Sequence, residues 1–542
     1  MPLEAPVIKA SGRVFFNLEN GSMDFAVISL RPVRKRVLFL FVLGIGIATD
    51  IGRTGQADHV PAAFKPDIPK AWDDAAMATL EIPLVDPAAS AKHVSAAYYY
   101  KIPVRPIYKM YPIYASDREP AGYLEWLRQQ DPVIIWDDKG HSPALLTQAD
   151  WTKAGELVFD APVVFGPAAG YTIQEVRDPS WYRKTGVPVT TDGVMPFFYY
   201  VVREKGKVEV AAFGCSTCHT RVMPDGTALK GPQGNFPVDR TFADVFRRMP
   251  VEVVRNIGRV DYGAPWLEPD PLAGLDKLSQ NQITLGLDAV PPGVDSRFGT
   301  SPNFPPQIPD LIGVKDRRYL DHTGLQLHRS MADLMRYAAI NQGEDLLSSY
   351  GAFIPSGGPQ FSKLPEPDTQ SRYSDEQLYA LALYVYSLRP PPNPNQFDGV
   401  AERGKKLFER EGCPTCHTPP LYTNNKLTPV EGFSLPPGAA KQYNILPISV
   451  GTDPGLALQT RRGTGYYKVP SLRGVWYRGM FGHSGWCATL EDWFDPRRLR
   501  NDYVPTGFKP EGKETFAVKG HPFGLDLSTG DRKALIAFLK TL

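Results

Sequence analysis

The segment CSTCH (Cys215 to His219) is matched in pattern by CPTCH (Cys413 to His417), and what the two bind decides what kind of fold the chain can have. Three chemistries use cysteines at this spacing. A redox dithiol needs a strand-helix unit with its first cysteine at a helix N-terminus. Neither motif follows a β-branched strand run belonging to such a unit, and a dithiol has no need of histidine in the fifth position. A shared zinc site would have to pair ligands across 198 residues, and a histidine directly after the second cysteine is badly placed to join the same ion. Haem attachment uses every position: two thiols bond the two vinyl groups and the adjacent imidazole ligates the iron. The reading is two covalently bound haem c groups, on Cys215, Cys218 and His219 and on Cys413, Cys416 and His417.

Outward from the second motif, FDGVAERGKKLFEREG places Val400, Gly404, Leu407 and Phe408 on one helical face just before Cys413. At the far end, Ser528 and Asp531 make a capping-box pattern ahead of a stripe of Leu535, Phe538, Leu539 and Leu542. These two helices bracket a second haem c domain at 397–542. The first motif is bracketed more loosely. QADWTKAGELVFDAP, around Trp151, supplies an opening helix. A closing one begins with the Ser374 and Gln377 capping box, carries Leu378, Leu381, Ala382, Val385 and Leu388, and stops at Pro390 to Pro392. The expected organisation is a first haem c domain at 151–389, a linker at 390–396, and an extension at 49–150 ahead of both. The expected fold class is mainly α, two cytochrome c-type domains with long Pro-rich loops. The 53 prolines in 542 residues are about twice the usual share.

A formal charge of +2 with 22% charged residues gives no electrostatic case for nucleic acid. RPVRKR (Arg31 to Arg36) precedes the apolar run Val37 to Ala48, which is long enough for a signal peptide core and too short to span a bilayer. An export signal over 1–48 follows, with Met23 as an alternative start and cleavage after Ala48 or Ala57. The expected location is periplasmic or secreted, with an uncleaved membrane anchor as the alternative.

Of the nine histidines, His59, His93 and His141 precede the haem domains and read as surface or structural residues. His322, His328, His483 and His521 remain as candidates near iron. His521, in VKGHPFGLDLS just ahead of the last helix, lies where the chain returns across the open face of the second haem. A sixth ligand there suits electron transfer, because no position is left for substrate.

VPSLRGVWYRGMFGHSGWCATLEDWF (Val469 to Phe494) resembles the signature segment of the di-haem cytochrome c peroxidase and MauG superfamily. The long gap between motifs and the GHPFG element are similar to the RoxA-like rubber oxygenases within it. The resemblance implies that His219 and His417 are proximal ligands, that His521 is the distal ligand of the C-terminal haem, and that His483 belongs to the haem surroundings. It also implies a reactive N-terminal haem with an open sixth position and a distal pocket near His322, His328 and Tyr337. The stretch after the second motif is shorter than the rubber oxygenases have. Trp266, Trp476 and Trp486 are candidate bridges between the haems, and Cys487 reads as a buried free thiol.

The function these observations imply is an exported di-haem oxidoreductase. Its C-terminal haem relays electrons, and its N-terminal haem activates peroxide or dioxygen. Its partners are a small electron-donor or acceptor protein and either an oxidant or an apolar substrate. The rival is a non-catalytic electron-transfer cytochrome with both irons six-coordinate.

Overall fold

Two helix crossings built in the same way bracket the two motifs. The computed structural model describes residues 64–342, 347–355 and 371–542. Its principal helices are α1 (Gln148–Asp160), α2 (Val238–Phe246), α3 (Val251–Tyr262), α4 (Met331–Gln342), α5 (Asp375–Ser387), α6 (Gly399–Arg410) and α7 (Thr529–Lys540). Each crossing helix starts on a side-chain cap: Thr147 with Asp150 for α1, Ser374 with Gln377 for α5, Asp398 for α6 and Ser528 for α7. These side chains satisfy backbone N–H groups that have no partner within the first turn.

Helix α1 crosses α5 at Gly155, where a Cβ would lie 1.9 Å from the Ala380 carbonyl oxygen. Helix α6 crosses α7 at Gly404, where a Cβ would lie 1.9 Å from the Ala534 carbonyl oxygen. Four residues after each glycine comes a phenylalanine. Phe159 packs on Tyr384 and Phe408 on Phe538, both at 5.3 Å between ring centroids. Glycine is required at both points because two helix backbones touch there. On α6 the buried face is Ala401, Gly404, Leu407 and Phe408. Val400, expected inward, is 52% exposed, because Ala401 takes the inward position in the first turn.

The expected mainly α class is corrected by the strands: the described residues are 33% helix and 13% strand, with several small sheets. The largest combines β1 (Met110–Tyr114), β2 (Val164–Phe165), β3 (Val194–Glu204) and β4 (Lys207–Ala212), in the order β1-β3-β4-β2. Strands β3 and β4 form an antiparallel hairpin, with Tyr200 opposite Val210 and Val202 opposite Val208. Three of the four strands fall between α1 and the first motif, which is why that helix lies so far upstream of Cys215. The alternation in VMPFFYYVVRE and KVEVAA on either side of Lys205 and Gly206 is a hairpin signal that the helix-centred reading passed over.

Three of these strands, with the segments packed on them, bury Phe197, Phe198, Tyr200 and Trp181 in one core, while α1, α4 and α5 bury Trp151, Met335 and Leu381 in another. All of this belongs to one compact unit, Ala63–Leu542. The export segment at 1–48, with Met23 and the cleavage points Ala48 and Ala57, lies outside the described residues, as does His59. Among the described residues no helix is long and apolar enough to cross a membrane.

Candidate functional site

The chain leaves β4 through Phe213, a non-glycine residue at φ 66°, and enters a short helix, Cys215–His219. The first motif follows a strand, but that strand is antiparallel to its neighbours and makes no βαβ unit. Thr217 Oγ1 donates to the Phe197 carbonyl at 3.1 Å, and the Gly234 N–H donates to the Cys218 carbonyl at 3.1 Å. So anchored, Cys215, Cys218 and His219 stand in the wall of a cavity of about 760 Å³. Much of the wall is apolar, with Phe242 and Phe246 from α2, Ile257 from α3, Leu334 from α4 and Leu381 from α5. Its size lies within the range of about 300–1,000 Å³ common to ligand and cofactor sites.

Burial, then the Arg297 guanidinium, hold the His219 imidazole at about 4, against the opposing effect of the Pro309 carbonyl beside it. Its Nδ1 has no hydrogen-bond partner. A neutral imidazole keeps a lone pair for a metal. Burial and the nearby Asp295 carboxylate raise the Cys218 thiol well above its usual value, with Asp295 Oδ2 3.9 Å from Sγ. That is the reverse of an activated dithiol. Among the described residues no three His, Cys, Asp or Glu side chains gather as a shared metal site would require.

At the second motif His417 is buried and its Nδ1 lies 3.1 Å from the Tyr422 carbonyl. Burial lowers its pKa, opposed by the carbonyls of Tyr422 and Pro470. A proline carbonyl therefore faces the motif histidine in both places, Pro309 at His219 and Pro470 at His417. Across from His417 stands His521, with ring centroids 6.3 Å apart. His521 has φ 44°, a region costly for a residue with a side chain. Burial, His417 and Arg498 together hold its imidazole at about 3, and its Nδ1 has no partner. Arg498, fully buried, keeps this loop in place by donating to the carbonyls of Trp493 (2.7 Å), Val518 (2.6 Å), Gly520 (2.9 Å) and His521 (2.8 Å).

The two proline carbonyls belong to an internal repeat that the sequence reading missed. IPDLIGVKDRRYLDHTG (Ile308 to Gly324) aligns without a gap to VPSLRGVWYRGMFGHSG (Val469 to Gly485). Pro309 matches Pro470, Gly313 matches Gly474, Arg317 matches Arg478 and His322 matches His483. Comparing the chain with itself would have exposed it. The copies bond reciprocally: the Gln307 N–H donates to the His483 carbonyl at 2.7 Å and the Lys468 N–H to the His322 carbonyl at 2.9 Å. Each arginine binds its own copy at equivalent carbonyls, Arg317 those of Asp310 and Ile312, Arg478 those of Ser471 and Arg473.

The remaining candidates fall as follows. His322 lines the cavity, but its Nε2 meets the Gln307 carbonyl at 2.6 Å. His328 has both ring nitrogens engaged, by the Arg317 carbonyl at 2.7 Å and the Tyr386 hydroxyl at 2.6 Å. Tyr337 lines the cavity and its hydroxyl accepts from Arg297 at 3.0 Å. His483 stacks on Tyr467 at 3.9 Å and meets Trp486 edge-on at 4.4 Å. Trp266 stacks on Tyr350, and Trp476 packs on Tyr477. Cys487 is a buried free thiol, pushed up to about 12 chiefly by burial. His93 meets Ser348 Oγ at 2.8 Å and the exposed His141 meets Asp137 at 2.9 Å.

No protein-family model matches the chain, and no curated protein does. Among solved structures, the hydrazine synthase of Kuenenia stuttgartiensis, determined under xenon pressure, matches with 16% identity and a TM-score of 0.29. The match covers 52% of this chain and 85% of that one. At that TM-score the likeness carries no argument about function.

Proposed function

We propose that the chain is an exported di-haem c-type oxidoreductase, with haem c domains at 151–389 and 397–542 joined by 390–396 and preceded by an extension at 49–150. The observation that carries the reading is the contrast between the two motifs: His417 faces a second imidazole, whereas His219 opens onto a large apolar cavity. The residues fit the group. Two thiols and an imidazole come from one short segment at each site, and a proline carbonyl faces each imidazole, a common way of orienting a ligating histidine. Two imidazoles binding one metal at about 2 Å each, with about 1 Å more from nitrogen to ring centre, would have centroids about 6 Å apart. His417 and His521 are at 6.3 Å.

Haem c at these sites would supply two redox-active irons, one closed between His417 and His521 and one with a side left for a small oxidant opposite His219. The protein's part is then positioning and exclusion of water. Arg498 holds the His521 loop, the Tyr422 carbonyl meets the His417 Nδ1, the Pro309 carbonyl lies beside His219, and the apolar wall from α2, α3 and α5 keeps water from the His219 side. With His322 and His328 hydrogen-bonded elsewhere, Tyr337 and Arg297 are two bonded polar groups that line the same cavity. The reaction class is peroxide reduction fed by a small electron-donor protein, or use of dioxygen on an apolar substrate.

The test is the absorption spectrum of the purified holoprotein, oxidised and reduced, before and after carbon monoxide and hydrogen peroxide. A response from about half of the haem supports one open and one closed iron. No response from either haem makes the chain an electron-transfer cytochrome.

A further inference from the structure

Arg297 is a cation in the wall of a largely apolar cavity, and its hydrogen bonds go to neutral groups. It donates to the Tyr337 hydroxyl at 3.0 Å and to Asn341 Oδ1, and no ion pair joins it to a carboxylate among the described residues. Asp295, two positions earlier, feels its charge without pairing with it. Asn341 is itself fixed, donating from Nδ2 to the Tyr337 carbonyl at 2.8 Å. Because the Tyr337 oxygen accepts from Arg297, its own O–H is left to donate, and no acceptor for it stands among the described residues. A half-buried cation in a largely apolar wall, with no carboxylate in contact, is poorly compensated. A guanidinium fork is shaped for two parallel bonds to a carboxylate.

We propose that Arg297 and Tyr337 form a carboxylate-binding subsite of this cavity, the guanidinium and the phenol O–H receiving one carboxylate beside the group attached at Cys215 and Cys218. The inference rests on the haem reading above. Two sources present the same chemistry: a propionate of the haem, or the acid group of an organic substrate. Helix α4 supplies Tyr337 and the Asp295–Thr300 segment supplies Arg297, so the two residues close on the carboxylate from different parts of the fold.

The experiment uses the holoprotein and the variants Arg297→Gln, Arg297→Lys and Tyr337→Phe. Haem is first counted as the pyridine haemochrome, and fewer than two per wild-type chain refutes the haem reading itself. The midpoint potentials are then measured spectroelectrochemically, and the oxidised proteins are titrated with sodium hexanoate. If the carboxylate is a propionate, the potential of one haem falls in both Arg297→Gln and Tyr337→Phe, is largely restored in Arg297→Lys, and hexanoate has no effect. If it is a substrate acid, potentials are unchanged, while hexanoate shifts the wild-type Soret band and binds about tenfold or more weakly to Arg297→Gln and Tyr337→Phe. The proposal is overturned if potentials and hexanoate response are the same in all four proteins. It is equally overturned if only Arg297→Gln shifts a potential, since that is a distant charge acting without contact.

Discussion

His521 faces His417 at 6.3 Å between ring centroids, with the ring planes at 61°, and the last loop before α7 is shaped to bring it there. Its backbone N–H donates to the Val450 carbonyl at 2.6 Å and its carbonyl accepts from Arg498. In the proposed reading, replacing His521 by alanine opens the second iron. About half of the haem, unresponsive to carbon monoxide in the wild type, should then bind it. Haem content should remain two per chain. An unchanged spectrum in the variant would remove His521 from the coordination sphere.

Arg498 holds the His521 loop through four carbonyls, so Arg498→Leu leaves several buried acceptors without donors. The expected loss of stability is about 3 kcal/mol or more, measured by denaturant unfolding. The same variant should show part of the His521→Ala spectral change, because the loop that carries the ligand loosens. Loss of stability with an unaltered haem spectrum would confine Arg498 to a purely structural role.

Cys413→Ala combined with Cys416→Ala removes both thiols of the second motif. The chain mass should then drop by one haem, and the haemochrome should fall from two to one per chain, the first motif being unaffected. Retention of two covalent haems would sink the assignment of this motif.

Gly155→Ala and Gly404→Ala test the duplicated crossing. In an ordinary helix the change to alanine stabilises by about 0.5–1 kcal/mol. Here the new methyl meets a carbonyl oxygen of the partner helix at 1.9 Å, and forcing the helices apart costs about 1–3 kcal/mol. Both variants should therefore melt below the wild type, and a raised melting temperature in either would refute the close contact at that point.

Asp333 is buried and accepts from Arg329 Nε at 2.8 Å and Arg336 at 3.0 Å. Burial pushes its carboxyl upward, but the Arg329 and Arg336 hydrogen bonds and the Arg329 charge outweigh it, and the net value lies below the usual 3.8. A depressed folded-state pKa means this stabilisation is complete above about pH 4 and is lost as pH falls through the folded value. Asp333→Asn should cost about 2 kcal/mol at pH 7, and the two stability curves should converge in strong acid.

The parts of this architecture that could be read in advance are those decided within a few residues. Ser374 with Gln377 and Ser528 with Asp531 act over one helical turn, so their helices begin where the capping pattern predicts. Val400 lies outside the buried face because helical periodicity fixes a face only to within a residue, and packing against α7 makes Ala401 the inward one. The β3–β4 hairpin carried its own alternating signal, but strand alternation competes with helix patterns in a short window and says nothing of where the sheet is inserted. The Pro309 and Pro470 repeat was visible in the letters, whereas its reciprocal bonding through Gln307 and Lys468 was not.

What the sequence by itself determined is the spacing of cysteine and histidine in the two C-x-x-C-H segments and the caps of the helices around them, since both depend only on neighbours along the chain. Which histidine meets which partner was decided only by the tertiary structure. His521 stands against His417, His322 is tied to the Gln307 carbonyl, and Arg297 comes to share a cavity with His219. These relationships arise from long-range packing, where one buried arginine or one helix contact at a glycine places a side chain that no local pattern specifies.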